Sequence, residues 1–284
     1  MITVAVPNKG RLHEPALDLL KRAGIRVEEP IGRRLKAETS DPEVEVMFVR
    51  AADIPRLVEE GAAELGITGH DLVVESGAEV EELLDLRFGR ARMVLAVPEE
   101  SDVERPEELE GGTVATEFPN IARRYFEEEV GVRVEVVEVT GATEVMPRIG
   151  VADAIVDLSS TGTTLRVNRL RVVDEVLRTS ARLIAHPDAV EDETVQRIRL
   201  SLEGVLNAEG KKLIMMNVPR DRLDEFRELL PGVTGPTVSE LLSREDMVEL
   251  YAVVDEEEVS NVILEAKRLG AEGILVLPIE RMIP

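Results

Sequence analysis

The sequence predicts an α/β protein that carries a smaller α+β unit at its C-terminal end. From residue 2 to residue 207, apolar strand patterns alternate with helical patterns, which is typical of a mainly parallel sheet covered by helices. From residue 212 onward the order is strand, helix, strand, strand, helix, strand, the split βαβ arrangement of ferredoxin-like domains. The chain has 284 residues and exceeds the usual size of one domain, so we expect a boundary near residue 209.

The first block of elements is recognised by its periodicity and by the residues at its ends. Gly24 and Gly61 end two helices, because glycine commonly follows a last helical turn, and Pro55 lies in the first turn of the second helix. The predicted strands are 2–6, 44–49 and 65–68, and the predicted helices are 13–23, 53–61 and a short helix opened by Asp71.

A second block begins near Arg92. Strict alternation of apolar and polar residues predicts a strand at 133–139, whereas Pro147 predicts that a helix at 143–149 is short or kinked. The polar stretch 157–164 is predicted to be a loop. The other predicted strands are 92–97, 113–115, 154–156, 171–178 and 182–185, and the other helices are 119–129 and 192–207.

The C-terminal unit is predicted to form a sheet with one free face, and its sequence contains no catalytic constellation. A free face of this kind commonly binds another subunit, and a small effector can bind at that junction. A regulatory domain and a plain dimerisation module are therefore both open. The predicted strands are 212–218, 237–242, 247–254 and 273–277, and the predicted helices are 220–230 and 256–269.

Composition excludes several classes of protein. The net charge is -23 and no segment concentrates Lys and Arg, so a nucleic-acid partner is not expected. The absence of cysteine excludes disulfides and thiolate metal sites. No apolar run approaches the ~20 residues that span a bilayer, and the chain opens on a strand rather than on a signal peptide, so we expect no membrane association and a cytoplasmic location.

The stretch Asp157-Leu-Ser-Ser-Thr-Gly-Thr-Thr-Leu165 carries the clearest chemical signal. It follows a buried strand and precedes a helical turn, and successive N–H groups there can form an anion site. Gly162 allows a close backbone approach to a ligand, and Asp157 can accept hydrogen bonds from ribose hydroxyls. The alternative is an ordinary Ser/Thr-rich turn with a helix cap. The hydroxyl donors of this stretch are Ser159, Ser160, Thr161, Thr163 and Thr164.

The run from Glu144 through Gly150, Ala152, Ile155 and Asp157 to Leu165 closely resembles the signature of ATP phosphoribosyltransferases. Further segments resemble the same family over the length of the chain, and the C-terminal ones resemble its long form, which has a regulatory domain. These segments are Asn8-Lys-Gly-Arg-Leu12, Arg50-Ala-Ala-Asp-Ile-Pro55, Gly66-Ile-Thr-Gly-His-Asp71, Phe118-Pro-Asn-Ile-Ala122, Pro236-Thr237-Val238 and Gly270-Ala-Glu-Gly-Ile-Leu275.

The resemblance implies a two-lobed catalytic core built like a periplasmic binding protein, with the active site in the cleft between the lobes. Lobe I would comprise 1–90 and 180–208, and lobe II would comprise 91–179. Residues 209–284 would form a regulatory domain of the ACT type that binds histidine. The residues expected to line its effector pocket are Met215, Asn217, Ala271 and Gly273.

The family's reaction joins ATP to phosphoribosyl pyrophosphate, giving N1-(5-phosphoribosyl)-ATP and pyrophosphate, and it is the first step of histidine biosynthesis. The resemblance implies feedback inhibition by histidine, Mg²⁺ held mainly by substrate phosphates, and a homo-oligomer, dimer and hexamer. By resemblance Asp157 and Glu144 are catalytic, and Glu144 either orients the ribose or adenine or takes a proton. The resemblance also implies that the loop 159–164 holds the 5-phosphate. The residues expected to contact ATP or pyrophosphate are Lys9, Gly10, Arg11, Arg50 and Asp71.

Two other functions fit the same residues. A two-lobed binding protein without enzymatic activity, such as a cytoplasmic sensor, would have the same fold and cleft. A phosphoribosyltransferase with a nicotinate-like or orotate-like acceptor would have the same phosphate loop. Each solvent-facing cation can also be an ordinary surface charge.

Overall fold

The chain divides into two compact units, Met1–Arg199 and Leu200–Pro284. A computed structural model describes residues 1–28, 35–160, 162–230, 235–242 and 244–283. The division falls inside the helix Glu193–Ala208, and the boundary predicted near residue 209 lies just after that helix. No helix in the described ranges is long and apolar enough to cross a membrane.

The N-terminal unit alternates strands with mostly short helices. Its strands are β1 (Ile2–Pro7), β2 (Lys36–Glu38), β3 (Val44–Val49), β4 (Leu65–Gly69), β5 (Glu81–Asp85), β6 (Ala91–Pro98), β7 (Thr113–Thr116), β8 (Glu135–Glu138), β9 (Ala154–Ser159), β10 (Leu170–Thr179) and β11 (Ala181–Ala185). Its helices are α1 (His13–Arg22), α2 (Ile54–Glu59), α3 (His70–Ser76), α4 (Pro119–Arg124, continued by the π-helix Tyr125–Val130), α5 (Thr163–Val167) and α6 (Glu193–Ala208), which runs into the second unit.

These strands form two mixed sheets. The first sheet has the order β2-β3-β1-β4-β11-β5, and the second sheet has the order β10-β6-β9-β7-β8. Strand β1 is parallel to β3 and β4, and β7 is parallel to β8 and β9. Strands β11 and β6 are antiparallel to both of their neighbours. The expectation of a mainly parallel sheet is therefore wrong, because the chain crosses to the second sheet after β5 and returns after β10, and these crossings introduce antiparallel strands.

Two local predictions differ from the structure. Residues 143–149 contain only a 3-10 turn, Thr143–Val145, since Pro147 has no N–H with which to continue a helix. Strand β9 extends to Ser159, so Asp157 lies within the strand and not in the predicted loop.

The second sheet is covered on both faces. Side chains along β9 point alternately to one face and the other, and this alternation determines the face on which Asp157 lies. One face packs against Phe126 of the π-helix, and replacing that fully buried ring with alanine would cost about 3–5 kcal/mol. The other face carries Val94 and Ile155 and packs against Leu165 of α5. Asp157 lies two residues beyond Ile155 along β9, so it shares the face that α5 covers.

The C-terminal unit has the predicted strand and helix order. Its four strands form an antiparallel sheet of order β13-β14-β12-β15. Along β12, residues 214, 216 and 218 are buried and those between them are half-buried, which confirms a sheet with one more exposed face. The elements are β12 (Lys211–Pro219), α7 (Leu223–Leu229), β13 (Thr237–Glu240), β14 (Met247–Asp255), α8 (Val259–Arg268) and β15 (Glu272–Pro278).

Candidate functional site

Three cations follow neighbouring parallel strands of the first sheet. Lys9 and Arg11 come just after β1, and Arg50 comes just after β3. The two strands stay paired to their ends, where the Asn8 N–H donates to the Val49 carbonyl over 2.7 Å. All three cationic residues are exposed. We call Lys9, Arg11 and Arg50 the basic edge, and the carboxyl ends of parallel strands are where open α/β sheets bind ligands.

Gly10 forms the turn between Lys9 and Arg11, the two cations that follow β1. Its φ is +85°, a left-handed conformation that glycine adopts without strain. Its carbonyl accepts from the His13 N–H at 3.2 Å, at the start of α1. Gly10, predicted to contact ATP or pyrophosphate, thus shapes the turn from β1 into α1, and its direct contact with a ligand stays a prediction.

Asp71, predicted to contact ATP or pyrophosphate, is buried, with its side chain only 3% exposed. Its Oδ1 accepts from the Thr179 hydroxyl at 2.5 Å, and its own N–H donates to that hydroxyl oxygen at 3.0 Å. Its Oδ2 lies 4.0 Å from the Arg11 guanidinium. A Cβ atom at Gly69 would lie 2.3 Å from Asp71 Oδ1, so only glycine leaves room for this carboxylate. These contacts fit a residue that orients Arg11 and holds the start of α3 against Thr179 of β10.

Three carboxylates gather at the corresponding end of the second sheet. Asp157 lies near the end of β9, Glu117 follows the neighbouring parallel strand β7, and Glu144 lies in the 3-10 turn. We call them the acidic edge. Sequence reasoning missed Glu117, although its position two residues after the predicted strand 113–115 was a usable signal.

Burial, together with the negative charges of Glu117 and Glu144, raises the pKa of Asp157 to about 6. The Leu158 N–H opposes this shift by donating to Asp157 Oδ1 at 2.7 Å. A carboxyl with a pKa near 6 is mostly ionised at neutral pH, and roughly one tenth of it stays protonated. Desolvation commonly raises the pKa of catalytic carboxyls in this way.

The predicted phosphate loop leads from β9 into α5. The buried Ser159 hydroxyl oxygen accepts from the Gly162 N–H at 3.1 Å, and Gly162 has a φ of +71°. Ser160, Thr163 and Thr164 are exposed. Thr161 lies outside the described residues.

One carboxylate joins the helices that follow the two edges. Glu75 of α3 accepts from the N–H groups of Asn120 and Ile121 at 3.0 and 2.9 Å, at the start of α4. The Asn120 amide donates back to the Glu75 carbonyl at 2.9 Å. Helix α3 follows β4 and α4 follows β7, so these bonds hold the carboxyl ends of the two sheets towards each other. Burial raises the pKa of Glu75 above its usual value.

The predicted effector residues lie in two environments. Met215 and Asn217 are half-buried on the more exposed face of β12. A Cβ atom at Gly273 would lie 3.2 Å from the Asn217 amide nitrogen, so these two residues are neighbours. Ala271 is buried in the core of the unit and its carbonyl accepts from Lys267 Nζ at 3.1 Å, which leaves little of it for a ligand.

No group of three acidic, histidine or cysteine side chains in the described part of the chain is placed to hold a metal ion.

The chain is similar to known proteins over its whole length. The family described as ATP phosphoribosyltransferase matches residues 50–204, and the HisG C-terminal domain family matches residues 208–281. ATP phosphoribosyltransferase of Methanopyrus kandleri is 79% identical over 100% of both chains, and that of Natronomonas pharaonis is 56% identical over 99% of each. A chain in the solved ATP phosphoribosyl transferase (HisG:HisZ) complex from Thermotoga maritima is 28% identical, with a TM-score of 0.61, over 72% of this chain and 99% of that one. The chain belongs to the ATP phosphoribosyltransferase family.

Proposed function

We propose that the chain transfers the phosphoribosyl group of phosphoribosyl pyrophosphate to N1 of ATP, releasing pyrophosphate, in the first step of histidine biosynthesis. The observation that carries the proposal is the pairing of two edges of opposite charge, with a hydroxyl-rich loop beside the acidic one. A core of two lobes, like that of periplasmic binding proteins, is part of the proposal. Glu75 supports it by joining the helices that follow the two edges.

The charges of the two edges match the charges that develop in the reaction. As the bond from C1 of the ribose to pyrophosphate breaks, positive charge builds on the ribosyl ring and negative charge on the leaving group. The acidic edge would stabilise the ring, and the basic edge would bind the pyrophosphate. Such catalysis rests on positioning and electrostatic stabilisation rather than on a covalent nucleophile.

Asp157 would accept hydrogen bonds from the ribose hydroxyls, and the loop 159–164 would hold the 5-phosphate. The adenine amino group becomes more acidic once N1 carries the ribose, so a nearby carboxylate can take a proton. Glu144 either takes this proton or orients the ribose or adenine. Glu144 is half-buried and its charge acts on Asp157, and both features suit either role.

Mg²⁺ fits this site as an ion that arrives with the substrate. Mg²⁺ is usually held by phosphate oxygens, waters and few carboxylates, and the described residues offer carboxylates without a three-ligand group. When bound, it would neutralise charge on the departing pyrophosphate. Asp157 and Glu144 would be candidate ligands from this chain, and the basic edge would bind the phosphate oxygens that remain.

Histidine would act as the feedback inhibitor through the C-terminal unit, as an ACT-type domain. The adjacent Asn217 and Gly273 on the more exposed sheet face support a small-ligand site there. The exposed Leu275 and Leu277 of the edge strand β15 support contacts with further copies, in a dimer and a hexamer. Inhibition requires that histidine bind one assembly more tightly than another. A calorimetric titration with histidine tests this, and absence of binding would remove the regulatory role.

One assay separates the proposal from its alternatives. The pure protein is mixed with ATP, phosphoribosyl pyrophosphate and Mg²⁺, and the absorbance of the adduct is followed. We expect product with ATP and none with nicotinate or orotate. A binding protein without activity would bind a metabolite and leave both substrates unchanged, and that result would contradict the proposal.

A further inference from the structure

A pocket of about 570 Å³ lies where the chain crosses between the two sheets. Four arginines line it, although the chain as a whole has a net charge of -23. Its lining also reaches Ser160 of the phosphate loop, so it adjoins the candidate active site. We call it the crossover pocket. Its charged and loop residues are Asp85, Arg90, Arg92, Ser160, Arg178 and Arg182.

Two of the arginines and the first residue of the phosphate loop lie side by side on three neighbouring strands, β10, β6 and β9. Arg92 of β6 is paired with Arg178 of β10 on one side and with Ser159 of β9 on the other. Residues directly opposite each other in an antiparallel pair project to the same face, and like charges there destabilise a sheet. Glu175 offsets part of this repulsion, because one of its oxygens lies 2.5 Å from Arg178 Nε and the other lies 3.4 Å from an Arg92 nitrogen. One carboxylate thus serves two guanidinium groups.

The other two arginines differ in how much of their charge is already compensated. Arg182 is bound to Glu82 at 2.9 Å and to Asp85 at 2.7 Å, so it is a fixed wall of the pocket. Arg90 is exposed and makes no hydrogen bond or ion pair with the described residues. The charge available to a ligand therefore comes from Arg90 and from the pair Arg92 and Arg178, whose two positive charges share the single negative charge of Glu175.

We propose that the crossover pocket binds the triphosphate of the nucleotide substrate. The inference rests on the proposed function, because that reaction brings two polyphosphates into one site. The pyrophosphate of one substrate and the triphosphate of the other repel each other, so each needs its own group of cations. The basic edge after β1 and β3 serves the pyrophosphate, and the crossover pocket serves the triphosphate. Arginine is suited to this task because its planar donors match phosphate oxygens.

The test measures initial rates for the full-length protein with Arg90→Ala and, separately, Arg92→Ala. Each variant should raise the KM for ATP about tenfold, the usual effect of losing one charge-assisted contact. The KM for phosphoribosyl pyrophosphate should stay within about twofold. Arg133→Ala is the matched control, since Arg133 is exposed and precedes β8, at the opposite edge of the second sheet. It should change neither KM. A raised KM for phosphoribosyl pyrophosphate, or an unchanged KM for ATP, would overturn the assignment.

A second measurement keeps the pocket testable even if the proposed reaction fails. If the wild-type protein forms no adduct, the proposed function is lost, and calorimetric titration with inorganic tripolyphosphate then examines the pocket alone. Binding that weakens about tenfold in Arg90→Ala and not in Arg133→Ala supports the polyphosphate site. Equal binding by all three proteins would refute it. Arg90 has no partner among the described residues, so its loss leaves no buried group unpaired.

Discussion

The basic edge of the first sheet and the acidic edge of the second sheet occupy the same kind of position in their sheets, but they carry opposite charges. In each sheet the functional side chains lie at or just after the carboxyl ends of adjacent parallel strands. Lys9 and Arg50 extend into solvent, whereas Asp157 is partly withdrawn from it. A phosphate-binding cation works well when exposed, because its ligand brings compensating charge. A carboxylate that must stabilise a transient cation acts more strongly where water is excluded.

The largest expected effect is that of Asp157→Asn on turnover. The amide keeps the shape and can still accept the Leu158 N–H bond, but it loses the negative charge opposite the ribosyl ring. We expect kcat to fall by about 10²–10³, comparable with loss of one electrostatic contact in other enzymes. Steady-state rates at saturating substrates measure this. Wild-type turnover would remove Asp157 from the catalytic edge.

The same variant should be more stable than the wild type at neutral pH. The folded-state pKa of Asp157 is about 6 and its reference value is 3.8, so between these values the folded chain binds more protons than the unfolded chain. The free energy of unfolding therefore falls as pH rises through this window. We expect Asp157→Asn to gain about 2 kcal/mol at pH 8 and nothing below about pH 4. Urea titrations at both pH values test this, and a destabilised variant at pH 8 would contradict it.

Loss of a cation from the basic edge should have a smaller effect, and that effect should be confined to the KM for one substrate. Arg50→Ala removes an exposed cation that has no structural role evident from its contacts. We expect it to raise the KM for phosphoribosyl pyrophosphate about tenfold while kcat changes little. Arg133→Ala again serves as the control. A change in kcat alone would place Arg50 in transition-state stabilisation instead of substrate binding.

The smallest effect is a shift in pH dependence. Glu144→Gln removes one of the two negative charges that raise the pKa of Asp157. If ionised Asp157 is the active form, the rate rises as pH increases through about 6, and the variant's acidic limb should move to lower pH. Profiles of kcat/KM between pH 5 and 8 for both proteins measure the shift. A limb that moves to higher pH would show that Asp157 is not the titrating group.

The sequence predicted most of the strands and helices, because their periodicity and end residues are local signals. It also predicted that Lys9, Arg11, Arg50 and the loop 159–164 follow strand ends. It did not predict β2 or β5, which are short and pair at or near the edges of the first sheet. It placed Asp157 in a loop because strand length depends on pairing with β6 and β7 rather than on local pattern.

The sequence by itself determined the family, the hydroxyl-rich loop and the strand-end positions of the cations, since each is a property of neighbouring residues. Tertiary structure decided which of these groups interact and how strongly they hold protons. Asp71 meets Thr179, 108 residues away, and the crossover pocket joins residues 85–92 to residues 178–182. The proton affinity of Asp157 depends on burial and on Glu117 and Glu144. Desolvation and Coulomb interactions act through space, so sequence distance does not reveal them.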